Sequence, residues 1–171
     1  MEILDIYDEK GNKLGYSKPR KEAHEKGLWH KIACIFVVND ENKIIMQQRC
    51  AQKTTNPNGW VCSASGHIDA GEELETGALR ELEEEIGVKV KKTDLKHLGT
   101  VYEDYISGNM NITHISEIFV IHKNIELDTL VFQEEEVSDA KYFTLKEIEE
   151  SDFAKRHNGI FKVLEKEVAK R

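Results

Sequence analysis

Long apolar runs are missing from this sequence. The longest, Ile32 to Val38, is far too short to cross a bilayer as a helix. The opening residues, MEILDIYDEK, lack the basic start and apolar core of a secretion signal. Cysteine is scarce, and Cys34, Cys50 and Cys62 make an odd set without close metal-ligand spacing. A reduced, cytoplasmic setting is the one expected. Positive charge is short too: 24 Lys and Arg stand against 32 Asp and Glu, a formal net charge of −8. A duplex nucleic acid wants a basic face, so neither that partner nor a membrane is expected. A small phosphorylated substrate stays open, because a few local cations can reverse the field inside a pocket. Repeats, low-complexity tracts and linkers are absent as well. At 171 residues and 39% hydrophobic, the chain fits a single domain over 1–171 with a full core.

What is present is a mixture of strand and helix signals. Two short strands, Ile3 to Tyr7 and Lys13 to Ser17, flank a turn over 8–12. Pro19 suits the start of a short helix, Arg20 to Glu25, closed by Gly27. Strands are expected at Trp29 to Val38, Lys43 to Arg49 and Trp60 to Ala64, with a loop over 54–59. A long hairpin, His97 to Ile106 and Ile112 to His122, turns around Ser107-Gly108-Asn109. After a strand from Val137 to Phe143, Thr144 and Glu147 have capping-box spacing for a helix through Glu149. A last helix, Gly159 to Lys170, carries Ile160, Val163, Leu164 and Val168 on one side. The mixture predicts an α/β sandwich with a mixed sheet.

Residues 66–88, GHIDAGEELETGALRELEEEIGV, are the most informative stretch. Leu74, Ala78, Leu82 and Ile86 recur every fourth position, the mark of one buried helical stripe. Gly87 suits the left-handed residue that ends many helices. Glu81, Glu84 and Glu85 stand at i, i+3 and i+4, so their carboxylates share one side. Such like-charge pairs cost about 0.2–0.5 kcal/mol each. A hard divalent cation turns that cost into attraction, and Mg²⁺ takes oxygen ligands with water and phosphate filling the rest. Gly66 and Gly71 let the preceding loop turn close to the helix start.

This segment resembles the signature of the Nudix hydrolases, G-x5-E-x7-R-E-U-x-E-E-x-G-U with U aliphatic. Gly66, Glu72, Arg80, Glu81, Leu82, Glu84, Glu85, Gly87 and Val88 fill every constrained place. The resemblance implies an α/β/α sandwich whose loop–helix–loop binds Mg²⁺ or Mn²⁺ and hydrolyses a diphosphate joined to a group X. By position, Glu81, Glu84 and Glu85 look like metal ligands, and Glu72 and Arg80 like residues that orient the loop. The cations would bridge phosphate oxygens and sharpen a bound water, with no covalent enzyme intermediate required. Glu117, or an acid of Glu134–Glu136, is a further candidate for orienting or deprotonating that water.

The flanks, RKEAHEKGLWH, QQRCAQK and WVCSASGH, look like the branch related to isopentenyl-diphosphate isomerase, over roughly residues 1–150. Arg49 and Lys53 keep the spacing of residues that contact diphosphate there, and Arg20 falls where a further basic group lies. His24, His30 and His67 match three histidines that bind a second divalent metal in the isomerases, and Glu117 matches one of the acids. Such a set suits Zn²⁺ or Mn²⁺. Isomerization needs an acid and a base on opposite faces of a double bond, and a cysteine serves one of those roles in the isomerases. Ser65 stands at that place, and its hydroxyl is a poor proton shuttle beside a thiol. A Mg²⁺-dependent diphosphohydrolase acting on a nucleoside-diphosphate-type compound is therefore expected. The other readings are the isomerase and a non-catalytic ligand-binding module. Trp29, Trp60, Tyr102 and Phe119 are candidate stacking residues for X.

Overall fold

The computed structural model describes residues 1–171. Its centre is a mixed sheet of seven strands: β3 (His30–Val38), β4 (Ile44–Arg49), β5 (Trp60–Val61), β6 (Ala64–His67), β7 (Lys96–Ser107), β8 (Met110–His122) and β9 (Val137–Phe143). The main path runs β5-β4-β3-β8-β7, with β6 also paired to β3 and β9 to β4. Only β3 and β8 are parallel, from His30↔His114 to Val38↔His122. Before the sheet come β1 (Ile3–Tyr7) and β2 (Lys13–Pro19), which form a two-stranded sheet of their own, and the helix α1 (Arg20–Glu25).

Strand β3 is apolar almost throughout because both of its faces are covered. Cys34, Phe36 and Val38 point into a core shared with α3 (Leu145–Glu149), α4 (Asp152–Arg156) and α5 (Asn158–Val168). Ala33, Ile35 and Val37 point the other way, onto Ala78, Leu82 and Ile86 of α2 (Leu74–Ile86). Strand β8 repeats the division, with Ile118 and Val120 on one face and Phe119 and Ile121 on the other. Helices on both sides of a mixed sheet give the α/β sandwich expected from the sequence.

Most elements fall within a residue or two of their expected bounds, and three differences matter. The strand expected from Trp60 to Ala64 is two strands. Strands β3 and β4 pair only at Val38↔Ile44 and then splay. The chain enters that gap on β4, as Gln47↔Val61 and Gln48↔Trp60, and crosses to β3, as Ile35↔Ala64 through Ile32↔His67. At the crossing the buried Ser63 hydroxyl accepts from the Val37 N–H and donates to the Ile45 carbonyl, tying both sides of the gap. The second difference is α4, which has no counterpart in the expected elements. It is too short to carry helical periodicity, and only Phe153 and Ala154 of it are buried. The third is Phe161, absent from the expected stripe of α5 but buried with Ile160, Leu164 and Val168, against which Val163 packs partly buried.

Helix α2 ends as expected at Gly87, which has φ 73° and donates its N–H to the Glu83 carbonyl. Thr144 and Glu147 form the reciprocal capping box at α3. Leu82 is fully buried at the centre of the α2 face. Leu82→Ala should therefore cost about 2–5 kcal/mol of unfolding free energy. Urea denaturation measures it, and a loss below about 1 kcal/mol would mean that α2 packs loosely.

Candidate active site

The gap between β3 and β4 delivers the chain from β6 into the loop over 68–73 and then α2, so the signature residues open onto one cavity of about 400 Å³. Glu81, Glu84 and Glu85 line it from α2, Gly66 and His67 from β6, and Arg49 and Lys53 from the end of β4 and the loop beyond. Arg20 and His24 reach it from α1. Arg20, Arg49, Lys53 and the three signature glutamates, read from the sequence as phosphate and cation contacts, thus face one space although they come from separate parts of the chain.

Arg80 organises the acidic wall. Its guanidinium donates to both oxygens of Glu72 at 2.9 Å, to Glu81 at 2.6 Å and to the His67 carbonyl at 3.0 Å. Those bonds hold the Glu72 carboxyl below the usual carboxylate range. Glu85 accepts from the Gln47 side-chain amide and from the Ser65 N–H. Burial pushes the Glu85 carboxyl up to about 8, and the neighbouring Glu81 adds to the shift. Burial likewise raises Glu81 to about 7, with Glu84 adding to it. The cavity is lined by the acids Glu2, Asp69, Glu81, Glu84, Glu85 and Glu136 against the cations Arg20, Arg49, Lys53 and Arg80. A divalent cation would relieve this excess, and carboxylate oxygens are the donors that Mg²⁺ prefers. Gly66 fits the same purpose: a Cβ there would stand 2.0 Å from the Glu81 carboxyl carbon, so a larger residue would displace that carboxylate.

Each cation of the basic wall has a partner of its own. Arg49 donates to the Thr55 carbonyl at 3.0 Å and to its hydroxyl at 3.2 Å. Lys53 is paired with Glu136, and Arg20 with the exposed Glu2 at 2.7 Å.

A second cluster borders the cavity. His24, His30, His67 and His114 come from α1, β3, β6 and β8, and their ligand-capable nitrogens lie within 4.8 Å of one another. His24 and His30 donate Nδ1–H to the Arg20 and Leu28 carbonyls at 3.0 and 2.7 Å, so each neutral ring keeps a lone pair on Nε2. The Nε2 atoms of His30 and His67 are buried without a hydrogen-bond partner. Burial pushes His30 down to about 4, and His67 and His114 well below the ordinary histidine value. Burial lowers His24 too. Four neutral imidazoles brought this close are a nitrogen-rich donor set that fits a borderline cation such as Zn²⁺.

Glu117 is not part of this cluster. Alternation along β8 puts His114, Ser116 and Ile118 on one face and Glu117 and Phe119 on the other. On that other face Glu117 is 4% exposed and bonded to Lys31 (2.7 Å), Thr100 (2.7 Å) and His97 (2.8 Å). His114, rather than Glu117, is the fourth member of the cluster, and two-residue alternation from Ile112 was the signal that could have found it. Of Glu134–Glu136, only Glu136 lines the cavity. The four aromatics read as stacking candidates lie elsewhere. Trp29 packs on Tyr102 at 5.6 Å, Trp60 packs on Phe143 at 5.1 Å, and Phe119 is in the core.

The chain resembles known proteins in sequence and in fold. The model of the NUDIX domain matches residues 28–164. An uncharacterized Nudix hydrolase of Clostridium acetobutylicum is 37% identical over 139 residues, covering 80% of this chain and 66% of that protein. The chain therefore spans just under two thirds of that relative's length. Isopentenyl-diphosphate Delta-isomerase 2 of Photorhabdus laumondii is 30% identical over 145 residues, 84% of this chain and 78% of the isomerase. Among solved structures, the NUDIX domain of Shewanella oneidensis NrtR, in complex with ADP ribose, superposes with a TM-score of 0.64 at 18% identity. That match covers 81% of this chain and 87% of that one, a likeness of fold.

The place of Glu117 has a testable consequence. Burial by itself would raise its carboxyl, but the bonds from Lys31, Thr100 and His97 outweigh burial and hold it below the usual range. Its contribution to stability is therefore complete above the unfolded pKa of about 4.3 and is lost as pH falls through the lower folded value. Glu117→Gln should destabilise the protein by about 1–3 kcal/mol at pH 7, with a gap that narrows on acidification below pH about 4. Thermal melts across pH measure this, and turnover at pH 7 should stay within tenfold of wild type. A larger loss of turnover with an unchanged melt would return Glu117 to the active site.

Proposed function

The chain belongs to the Nudix family, and from that premise we propose that it is a Mg²⁺-dependent hydrolase. Its bond is the P–O–P link of a small nucleoside-diphosphate-type compound. One observation carries the reading: the three signature glutamates and three separate cations, Arg20, Arg49 and Lys53, line one cavity of diphosphate-binding chemistry. We also propose that residues 1–171 act as one catalytic domain, because Glu2, Arg20 and His24, outside the matched span, complete the cavity.

In this reading Glu81, Glu84 and Glu85 hold Mg²⁺ (or Mn²⁺), and Arg80 and Glu72 fix the loop against the helix. The bound cation would supply charge neutralisation on the diphosphate and acidify a coordinated water. Arg49 and Lys53 exchange their Thr55 and Glu136 contacts for phosphate oxygens, and Arg20 releases Glu2 to do the same. Gln47 and the Ser65 N–H keep the Glu85 carboxylate oriented. The proton of the attacking water goes to a carboxylate lining the cavity, which leaves out Glu117 and retains the signature glutamates and Glu136. The isomerase reading gains no support from the site, since Ser65 lines the cavity where a thiol would be needed.

A screen of nucleoside triphosphates, sugar and dinucleotide diphosphates, coenzyme A and prenyl diphosphates, read as released phosphate products with Mg²⁺, tests the function. At least one should be hydrolysed, and Glu85→Gln should lower that turnover by about 10²–10³-fold with the fold intact by circular dichroism. Isopentenyl diphosphate should keep its double bond in place by proton NMR. A migrating double bond, or no hydrolysis of any compound, would overturn the assignment.

The histidine cluster is proposed as a second cation site, formed by His24, His30, His67 and His114 rather than by three histidines and Glu117. Elemental analysis of protein equilibrated with Zn²⁺ and then dialysed should find about one zinc per chain, and His30→Ala/His67→Ala should lose it. Zinc retention by that variant would place the metal elsewhere.

A further inference from the structure

A cleft of about 420 Å³ adjoins the acid-lined cavity, between α1, the loop over 53–55 and the tip of the β7–β8 hairpin. Arg20, His24, Arg49, Lys53, Thr55 and Met110 line both spaces, so one ligand can extend from one into the other. Lys21, Glu25, Thr54 and Asn109 line the cleft and not the acid-lined cavity.

The balance of charge reverses between the two. The acid-lined cavity sets six carboxylates against four cations, whereas the cleft sets Arg20, Lys21, Arg49 and Lys53 against Glu25 alone. That one acid offsets little. Glu25 reaches only Lys21, at 3.7 Å, and both side chains are well exposed. Glu2 and Glu136, which pair with Arg20 and Lys53, line the other space. Arg49 pairs with no carboxylate: its Nε and Nη2 donate to Thr55, and Nη1 is left open. Thr54 and Asn109 add a hydroxyl and an amide, neither of which hydrogen-bonds within the protein. Cations gathered in this way repel one another, and an anion among them removes the repulsion. Phosphate oxygens are suited to the place, since they accept from guanidinium and ammonium groups alike. A neutral sugar or an apolar group would gain none of that attraction.

We propose that this cleft is a subsite for a third phosphoryl group, next in line after the diphosphate, and that Lys21 selects compounds that carry one. The group X then begins with a phosphate, and the favoured substrate is a linear triphosphate-type compound rather than a diphosphate esterified at both ends. The proposal deepens the functional reading above, and it rests on that reading in taking the diphosphate to lie in the acid-lined cavity. Lys21 is the one cation of the cleft that the acid-lined cavity lacks, so its replacement separates the two spaces.

Methylene-bridged analogues, with carbon in place of each bridging oxygen, cannot be hydrolysed, so their binding can be measured whatever the hydrolysis screen gives. Titration calorimetry in Mg²⁺ compares the triphosphate analogue, bis(phosphonomethyl)phosphinate, with the diphosphate analogue, methylenediphosphonate. Wild type should bind the first at least about tenfold more tightly. Lys21→Glu alters an exposed side chain and should cut that preference to about threefold or less, whereas Lys21→Arg should keep most of it. Lys146→Glu, on α3, makes the same change of net charge at a residue that lines neither space, and it should keep the preference within about twofold of wild type. Equal affinity for the two analogues, binding of neither, a preference undiminished in Lys21→Glu, or one lost equally in Lys146→Glu would overturn the proposal. A triphosphate preference without hydrolysis of any compound in the screen would leave the subsite standing and overturn the hydrolase reading. Hydrolysis without that preference would do the reverse.

Discussion

The Arg80 guanidinium reaches both oxygens of Glu72, the His67 carbonyl and Glu81, all at 2.6–3.0 Å, so one side chain joins the two ends of the signature loop to the helix that follows. These are charge-assisted bonds, roughly twice as strong as neutral ones, and two of them are bidentate. With the loop fixed, the Gly66 backbone lies against the Glu81 carboxyl group and Ser65 presents its N–H to Glu85. The same closeness removes water from both acids. Their raised pKa values are thus a consequence of loop placement as much as of acidic sequence, and the fold sustains a local arrangement that would be unfavourable on an isolated helix.

The splayed β3–β4 pair decides where that loop stands. Because the two strands part after Val38↔Ile44, residues 60–67 can run between them and emerge beside the N-terminus of β3. His30, His67 and His114 then meet at one end of the sheet, since β3 and β8 run in parallel with His30 opposite His114. The parallel pairing also sets Ser116 on the face of β8 that looks toward α4 and α5, where Glu103 and His157 meet it. One topological feature therefore arranges the acidic wall, the histidine cluster and the hydrogen-bonded set of Ser116, Glu103 and His157.

Much of this was legible in the sequence, and the illegible parts have physical reasons. The helical stripe of Leu74, Ala78, Leu82 and Ile86, the Gly87 end and the Thr144 capping box are encoded locally, by residues within a turn or two of each other. The convergence of Arg20, Arg49 and Lys53 on the signature glutamates followed from matching spacing in a known branch. Glu117 was misplaced because an acid on a strand has two faces to choose from, and pairing with Lys31 and Thr100 decided it. His114 escaped notice because its partners are separated from it by up to 90 residues. Helix α4 and His157 were invisible for a different reason: five residues carry too little periodicity, and the pair with Glu103 spans 54 residues.

The segment before the main sheet has a core of its own that is slight: Leu4, Ile6 and Ala23, with Leu28 partly buried. It meets the sheet layer through the isolated bridges Leu4↔Asp69 and Tyr7↔Trp29, through contacts of β1 with β3 and of α1 with β8, and through His24 in the histidine cluster. Sub-global opening favours parts with little apolar burial, and this flap buries far less than the double-sided sheet. Because Arg20 and His24 ride on it, a chain with its flap undone would keep its overall shape and its glutamates yet lose one wall of the cavity. Anchorage of the first 27 residues, rather than melting of the whole, would then set the ceiling on the temperature at which the site stays assembled.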